Sequence, residues 1–136
     1  MAAEFQLSVV APDRSVVDEP IQSVVLPGTE GYLGILAGHE PAVVGLKAGI
    51  LEFLDRSSNR HYVSVTGGFA EVTGAKVTIL ADAAERAQDI DVARAERALE
   101  NARAALRGDG ASGVSRDIAV AEMERAMTRI KAGRLR

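Results

Sequence analysis

"GAKVTILADAAERAQDIDVARAERALENARAALR" runs from Gly74 to Arg107, and its reading decides the fold. Its first part alternates. Val77 and Ile79 stand against Lys76 and Thr78, with the period of two that a half-buried strand requires. Near residue 81 the alternation stops. Ten alanines fall between residues 81 and 107, among Arg, Glu and Leu, and no Gly or Pro occurs between Gly74 and Gly108. These are strong helix formers. Val92, Ala95, Leu99, Ala102 and Leu106 lay a narrow apolar seam along one side of that helix. Asp89 and Asp91 sit where a helix N-terminus favours negative charge. The chain therefore passes from strand to helix inside this stretch.

Upstream of it, turn residues recur every few positions, from Pro12-Asp13 through Pro27-Gly28, Gly31, Gly34, Gly38, Pro41, Gly45 and Gly49 to Ser57-Ser58-Asn59 and Gly67-Gly68. Short alternating runs lie between them: Phe5, Leu7 and Val9; Leu51 and Phe53 about Glu52; Val63 and Val65 about Ser64. Runs of this kind predict a β-sandwich or barrel of roughly ten strands. Downstream, "GDGASG" (108–113) breaks the helix. Ser115 can cap a second helix with Asp117 in its first turn, and Lys131, Arg134 and Arg136 suit its C-terminal end. Val120, Met123, Met127 and Ile130 repeat the first seam. A connection this short makes the two helices antiparallel neighbours. The expected fold is thus a two-part all-β plus all-α chain. A ten-stranded β-sandwich over residues 1–84 precedes an antiparallel two-helix hairpin over residues 85–136. Both seams are rich in alanine and thin, so the hairpin needs a surface to dock on.

Composition narrows the function. Net charge is −3 and the pI about 5.4, and only 4% of residues are aromatic, which argues against a nucleic-acid partner. There is no cysteine, so disulfides and thiolate metal sites are excluded. With His39 and His61 the only histidines, no metal site is expected. "MAAEFQLSVV" has no basic segment leading into an apolar one, so no secretory signal is expected. No run approaches the ~20 apolar residues that span a bilayer, and any link to a membrane is expected to come through partners.

The glycine-rich stretch Gly31–Val43, "GYLGILAGHEPAV", has neither the spacing nor the Lys-Ser or Lys-Thr of a Walker loop, and no G-x-G-x-x-G. Its glycines read as permitting positive φ and tight strand turns. His39 has no cysteine, second histidine or nucleophile nearby, and Glu40, Glu52 and Glu71 read as solvated carboxylates. No catalytic residue is expected. The hairpin arginines say more. Arg125 and Arg129 share a helix face four residues apart, where like charges cost about 0.2–0.5 kcal/mol. Antiparallel pairing brings Arg94 level with them. Two readings stand: three guanidiniums converging on one phosphate chain, or a solvated charged face paired by Glu122 and Glu124.

"GYLGILAGHEPAV" resembles the G-x-L-G-I-L-x-G-H-x-P segment of the ε subunit of bacterial and chloroplast F-type ATP synthases. "TGGFAEVTGAKVTILADAAERAQDID" (66–91) and "FQLSVVAPDRSVVDEPIQSVVLPGTEG" (5–31) are similar to segments of the same family, in the same order. The resemblance implies a ten-stranded sandwich followed by a hairpin. It implies a non-catalytic central-stalk subunit that binds the γ subunit, rests on the c-subunit ring and turns as proton flow drives ATP synthesis. The implied location is peripheral, on the cytoplasmic face of the bacterial plasma membrane or, alternatively, on the thylakoid membrane.

The resemblance also implies a regulatory hairpin. Folded on the sandwich, it permits ATP hydrolysis; extended along γ into the head of α and β subunits, it inhibits. Glu30, Gly31, Tyr32 and His39 would lie toward the c ring and γ, although many relatives carry an acidic residue in place of Tyr32. No cofactor is required, but ATP is implied as a regulatory ligand of the folded hairpin. The motif Ile90-Asp91-Val92-Ala93-Arg94-Ala95 and the pair Arg125 and Arg129 match the ATP-binding members. Glu85, Ile90 and Asp91 would hold the adenine, and Arg94, Arg125 and Arg129 the phosphates. Asn101 stands where some of those members have a further arginine. The competing readings are a free-standing binding module whose helices pair with a partner, and a small enzyme, for which no chemical constellation is visible.

Overall fold

The computed structural model describes residues 3–108 and 115–135; most of the expected "GDGASG" turn and Arg136 lie outside them. Nine strands come first: β1 (Phe5–Ala11), β2 (Arg14–Gly28), β3 (Gly31–Leu36), β4 (Ala42–Leu46), β5 (Gly49–Asp55), β6 (Arg60–Val65), β7 (Gly68–Val72), β8 (Lys76–Ala81) and β9 (Ala84–Arg86). A single 3-10 turn, Ala87–Asp89, leads into α1 (Val92–Arg107) and α2 (Arg116–Gly133). The expected sandwich followed by two helices is what forms. Among the described residues the strand count is nine rather than ten, and β2 runs unbroken for 15 residues, past Pro20. β9 also straddles the division expected between residues 84 and 85, so Glu85 and Arg86 are sandwich-edge residues.

β2 joins the two layers. Its first half pairs with β1 (Phe5↔Ile21 to Ala11↔Arg14), and β1 continues through β8 and β7 to β4. Its second half pairs with β5 (Ile21↔Asp55 to Val25↔Glu52) and with β3. β5 continues through β6 to β9. The buried side chains of β2 step from Val17 to Ile21, then by an odd interval to Val24, then to Leu26. An odd step in a regular strand turns the following side chains to the other face. The register with β5 shifts between Ile21 and Ser23, and this bulge returns Val24 and Leu26 to the core. Around them Leu7, Val9, Ile35, Leu51, Phe53, Val63, Val65 and Ile79 are almost completely buried, and truncating one such Leu or Ile typically costs about 2–5 kcal/mol.

The glycine-rich stretch is structural as read at two of its three glycines. Gly31 (φ +130°) ends the tight β2–β3 hairpin and Gly38 (φ +84°) turns the chain after β3. Gly34 lies inside β3 with open space where a Cβ would stand, so nothing local requires a glycine there.

Both helix starts behave as read. The Asp91 side chain accepts from the Arg94 amide at 3.0 Å, and Ser115 Oγ accepts from the Ile118 amide at 3.3 Å. The seam of α1 runs as expected, with Val92, Leu99 and Leu106 half-buried beside Ala95 and Ala102, whereas that of α2 is rotated. Ala95 and Ala102 of α1 are buried, with Ala119, Ala126 and Ile130 of α2, while Met127 is 49% exposed and Val120 and Met123 are only half-buried. Alanine at the contact lets the two axes approach closely, which pushes the larger side chains to the flanks.

One turn is built on a single carboxylate. Asp55 Oδ1 accepts from the Ser57 and Asn59 amides at 2.8 and 2.9 Å, and Oδ2 accepts from His61 Nε2 at 2.8 Å. The His61 ring stacks on Phe53 at 4.8 Å. The His61 bond first, then the Asn59 and Ser57 amides, lower the Asp55 pKa from 3.8 to about 2. A depressed pKa stabilises the fold fully above the unfolded value, and that stabilisation is lost as pH falls through the folded one. Melting temperatures of the protein and of Asp55→Asn should therefore differ by a constant amount above pH ~4 and converge toward pH ~2. A gap unchanged down to pH 2 would contradict this account.

Candidate functional site

The hairpin lies against the β6–β9 edge of the sandwich. β9 pairs with β6 through Val63↔Arg86, Ser64↔Glu85 and Val65↔Ala84, which fixes Glu85 at the seam between the two parts. A cavity of about 430 Å³ opens there. Ser64, Thr66, Ala83, Ala84 and Glu85 form its sandwich wall, and Ala98 and Asn101 of α1 with Glu122, Arg125, Ala126 and Arg129 of α2 form its helical wall. Its apolar floor is made of alanines, and its polar groups are two guanidiniums, two carboxylates, an amide and two hydroxyls.

Arg129 spans the cavity. Its Nε donates to Glu85 Oε1 at 2.8 Å and its Nη2 to Glu85 Oε2 at 3.4 Å, a two-pronged pair with both side chains about three-quarters buried. Paired forks of this kind combine charge with fixed orientation. Among the described residues Arg125 has no carboxylate partner within ion-pair distance, so it presents an unmatched positive charge to the cavity. An anionic ligand entering here would meet Arg125 first and would have to compete with Glu85 for Arg129.

Of the six residues expected around a nucleotide, the structure brings Glu85, Arg125 and Arg129 together. The other three stand apart from the cavity lining. Ile90 is 3% exposed and packs with Ile50 and Ala132, flanked by Tyr62 and Val92. The carboxylate of Asp91 is engaged as the α1 cap. Arg94 is exposed in the first turn of α1, one turn nearer the N-terminus than Ala98. Asn101 does line the cavity, whereas Arg103 lines a separate groove on the other side of the hairpin. Glu122, expected only as a counter-charge on a solvated face, joins the cavity lining. Its spacing to Arg125 and Arg129 (i, i+3, i+7) puts all three on one face of α2, and that pattern was there to be read.

The residues expected to face a rotor are divided. Glu30, Gly31 and Tyr32 line a shallow groove at the β2–β3 turn, where the 55%-exposed Tyr32 ring lies 5.9 Å from Lys47 Nζ and its hydroxyl accepts from the Ile50 amide at 3.4 Å. His39 lies beyond the other end of β3, with Nδ1 2.7 Å from its neighbour's carbonyl, Glu40 O. The length of β3, ~17 Å at 3.3 Å per residue, separates them.

Residues 4–87 match the family model described as "ATP synthase, Delta/Epsilon chain, beta-sandwich domain". Residues 88–133 match "ATP synthase, Delta/Epsilon chain, long alpha-helix domain". The chain is 42% identical over 131 residues to the ATP synthase epsilon chain of Symbiobacterium thermophilum, covering 96% of this chain and 93% of that one. It is 47% identical over 106 residues to the corresponding chain of Carboxydothermus hydrogenoformans, covering 78% of each. Among solved structures, a chain of the Euglena gracilis mitochondrial ATP synthase, in a complex described as OSCP/F1/c-ring, superposes with a TM-score of 0.76 at 28% identity. That match covers all of this chain and 84% of the other. A chain from the central stalk and c ring of the Tetrahymena thermophila enzyme shares the fold, with a TM-score of 0.62 at 13% identity over 97% of this chain and 98% of that one.

The Glu85–Arg129 pair joins the two parts of the molecule across 44 residues of sequence. Replacing Arg129 with alanine should weaken hairpin docking by about 1.5–3 kcal/mol, the usual range for a hydrogen bond to a charged group. Faster proteolytic cleavage within 115–133, with the sandwich left intact, is the expected readout. An unchanged cleavage rate would show that the pair contributes nothing to docking.

Proposed function

The chain belongs to the ATP synthase delta/epsilon chain family, as an epsilon-type structural subunit of the central stalk rather than a catalytic one, and on that premise we propose that its hairpin regulates ATP hydrolysis in answer to ATP. In this reading the sandwich attaches to the γ subunit and the c-subunit ring, so that the chain turns with the rotor. Proton flow through the ring is thereby coupled to ATP synthesis in the head. The chain is then a peripheral component held at the cytoplasmic face of a membrane by its partners; among the described residues no helix is long and apolar enough to cross one. The hairpin docked on the sandwich permits hydrolysis, and the hairpin extended into the head of α and β subunits blocks it.

The observation that carries the regulatory part is the cavity at the joint between sandwich and hairpin. It is lined by both parts, and Arg125 and Arg129 reach it from the helix that would have to leave. A ligand bound there touches groups that are together only while the hairpin is docked. Such a ligand favours the docked state by its difference in affinity between the two states. The phosphates of ATP suit the two guanidiniums, and the alanine floor gives an adenine ring an apolar surface. Glu85 has a double part in this reading. It closes the joint by holding Arg129 when no ligand is present, and it gives up that partner when phosphate arrives.

Calorimetric titration of the isolated protein with ATP tests the site. Saturable heat is expected from the native chain, with no binding by the Arg125→Ala, Arg129→Ala double variant. Absence of binding at millimolar ATP would return both arginines to a purely structural role, and regulation would then have to arise from the rotor contacts. Co-purification with γ and the c ring checks the attachment independently.

A further inference from the structure

We propose that Gly133, the last residue of α2, is a steric latch whose missing side chain lets the hairpin close on the sandwich. The position does not call for glycine on backbone grounds, because Gly133 is not among the glycines with positive φ and ends a regular helix. Space is what it supplies. A Cβ at this residue would stand 2.6 Å from Val92 Cγ2 and 3.2 Å from Ile90 Cγ2. Neither neighbour can easily move. Both are β-branched and stiff at χ1, and Ile90 is buried against Ile50 and Ala132. The start of α1 (Val92) and Ile90 before it therefore press directly on Gly133, and the sandwich edge (Ile50, with Tyr62) meets the same cluster through Ile90 and Ala132.

This point has leverage over the whole hairpin. α2 makes contacts with β5, β6 and the 3-10 turn that α1 does not match, so α2 carries the docking. Apart from the cavity with its Glu85–Arg129 pair, the Ile50–Ile90–Ala132 cluster is the main apolar contact between the two parts. Bulk at residue 133 pries this cluster open and leaves the core of the sandwich untouched, since every residue of that core lies elsewhere. The size of the side chain at 133 therefore sets the balance between the docked and released hairpin. The inference rests on the reading of the hairpin as an element with two states.

Hydrogen exchange on the full chain tests it, because steric release and helix propensity predict opposite signs. Glycine to alanine in a helix would by itself raise protection of α2 by up to about fivefold. The latch predicts the reverse. Amides of residues 119–130 should lose protection in Gly133→Ala and lose roughly tenfold or more in Gly133→Val. Residues 5–11 and 76–81 should exchange as before. Combining Val92→Ala with Gly133→Ala reopens the space and should restore protection of α2. Unchanged or increased protection in both single variants would overturn the proposal, as would loss spreading into the sandwich or failure of the double variant to recover. ATP hydrolysis by the assembled enzyme carrying Gly133→Val separates the two readings. If α2 is released in the isolated chain but hydrolysis is unaltered, the latch stands and the regulatory role of the hairpin falls.

Discussion

Everything in the sandwich hangs on β2 keeping one set of side chains inward while it passes from one layer to the other. The strand is paired with β1 along its first half and with β5 and β3 along its second. Its last residue, Gly28, also meets Leu46 of β4 at the far edge of the first layer. A strand with a strict period of two could not do this with the residues present, because Ile21 and Val24 are an odd number apart. The bulge between Ile21 and Ser23 removes the conflict and increases the local twist. Both layers can then close over a core in which Leu7, Ile21, Leu26 and Phe53 are sealed from water.

The edge that this arrangement leaves is the one the hairpin uses. β9 is only three residues long, and short edges present little template for pairing with other chains. It nonetheless holds Glu85 in a fixed register opposite Ser64, so a carboxylate waits at the joint whatever the hairpin does. The hairpin comes to this edge with a thin seam of alanines and a small apolar foot at Ala132. Small residues allow close approach but bury little area, and stabilisation from burial scales with that area. A firmly packed sandwich beside a lightly attached hairpin is the mechanical asymmetry that the proposed switching would need, since two states interconvert only where their free energies lie close together.

The cavity follows from the same economy. Larger side chains at Ala84, Ala98 and Ala126 would fill it and cement the two parts. With alanine there, the space remains, and polar groups from both parts line it. The residues that keep the attachment light are thus also the residues that leave this space open.

Much of this was legible in the residues. The change of period near residue 81, the caps at Asp91 and Ser115, and the positive-φ turns at Gly31 and Gly38 are local matters, settled by propensity and backbone sterics between near neighbours. The motif pieces in register carried the family. The continuity of β2 was not legible, because a proline and an odd spacing look like a break until the partner strands on both sides are known. Nor was the rotation of the α2 seam, which depends on how closely two alanine faces approach. The motif "IDVARA" read as one binding group, yet Ile90 went into a hydrophobic cluster, Asp91 into a cap and Arg94 into solvent, while Glu85 met Arg129 across 44 residues. Gly133 makes the same point. Its sequence neighbours mark a helix end, and only the packing of Val92 and Ile90 against it shows why no side chain fits. Local periodicity determined which elements form. Contacts between residues far apart in the chain, which no local pattern encodes, decided which side chains share a site.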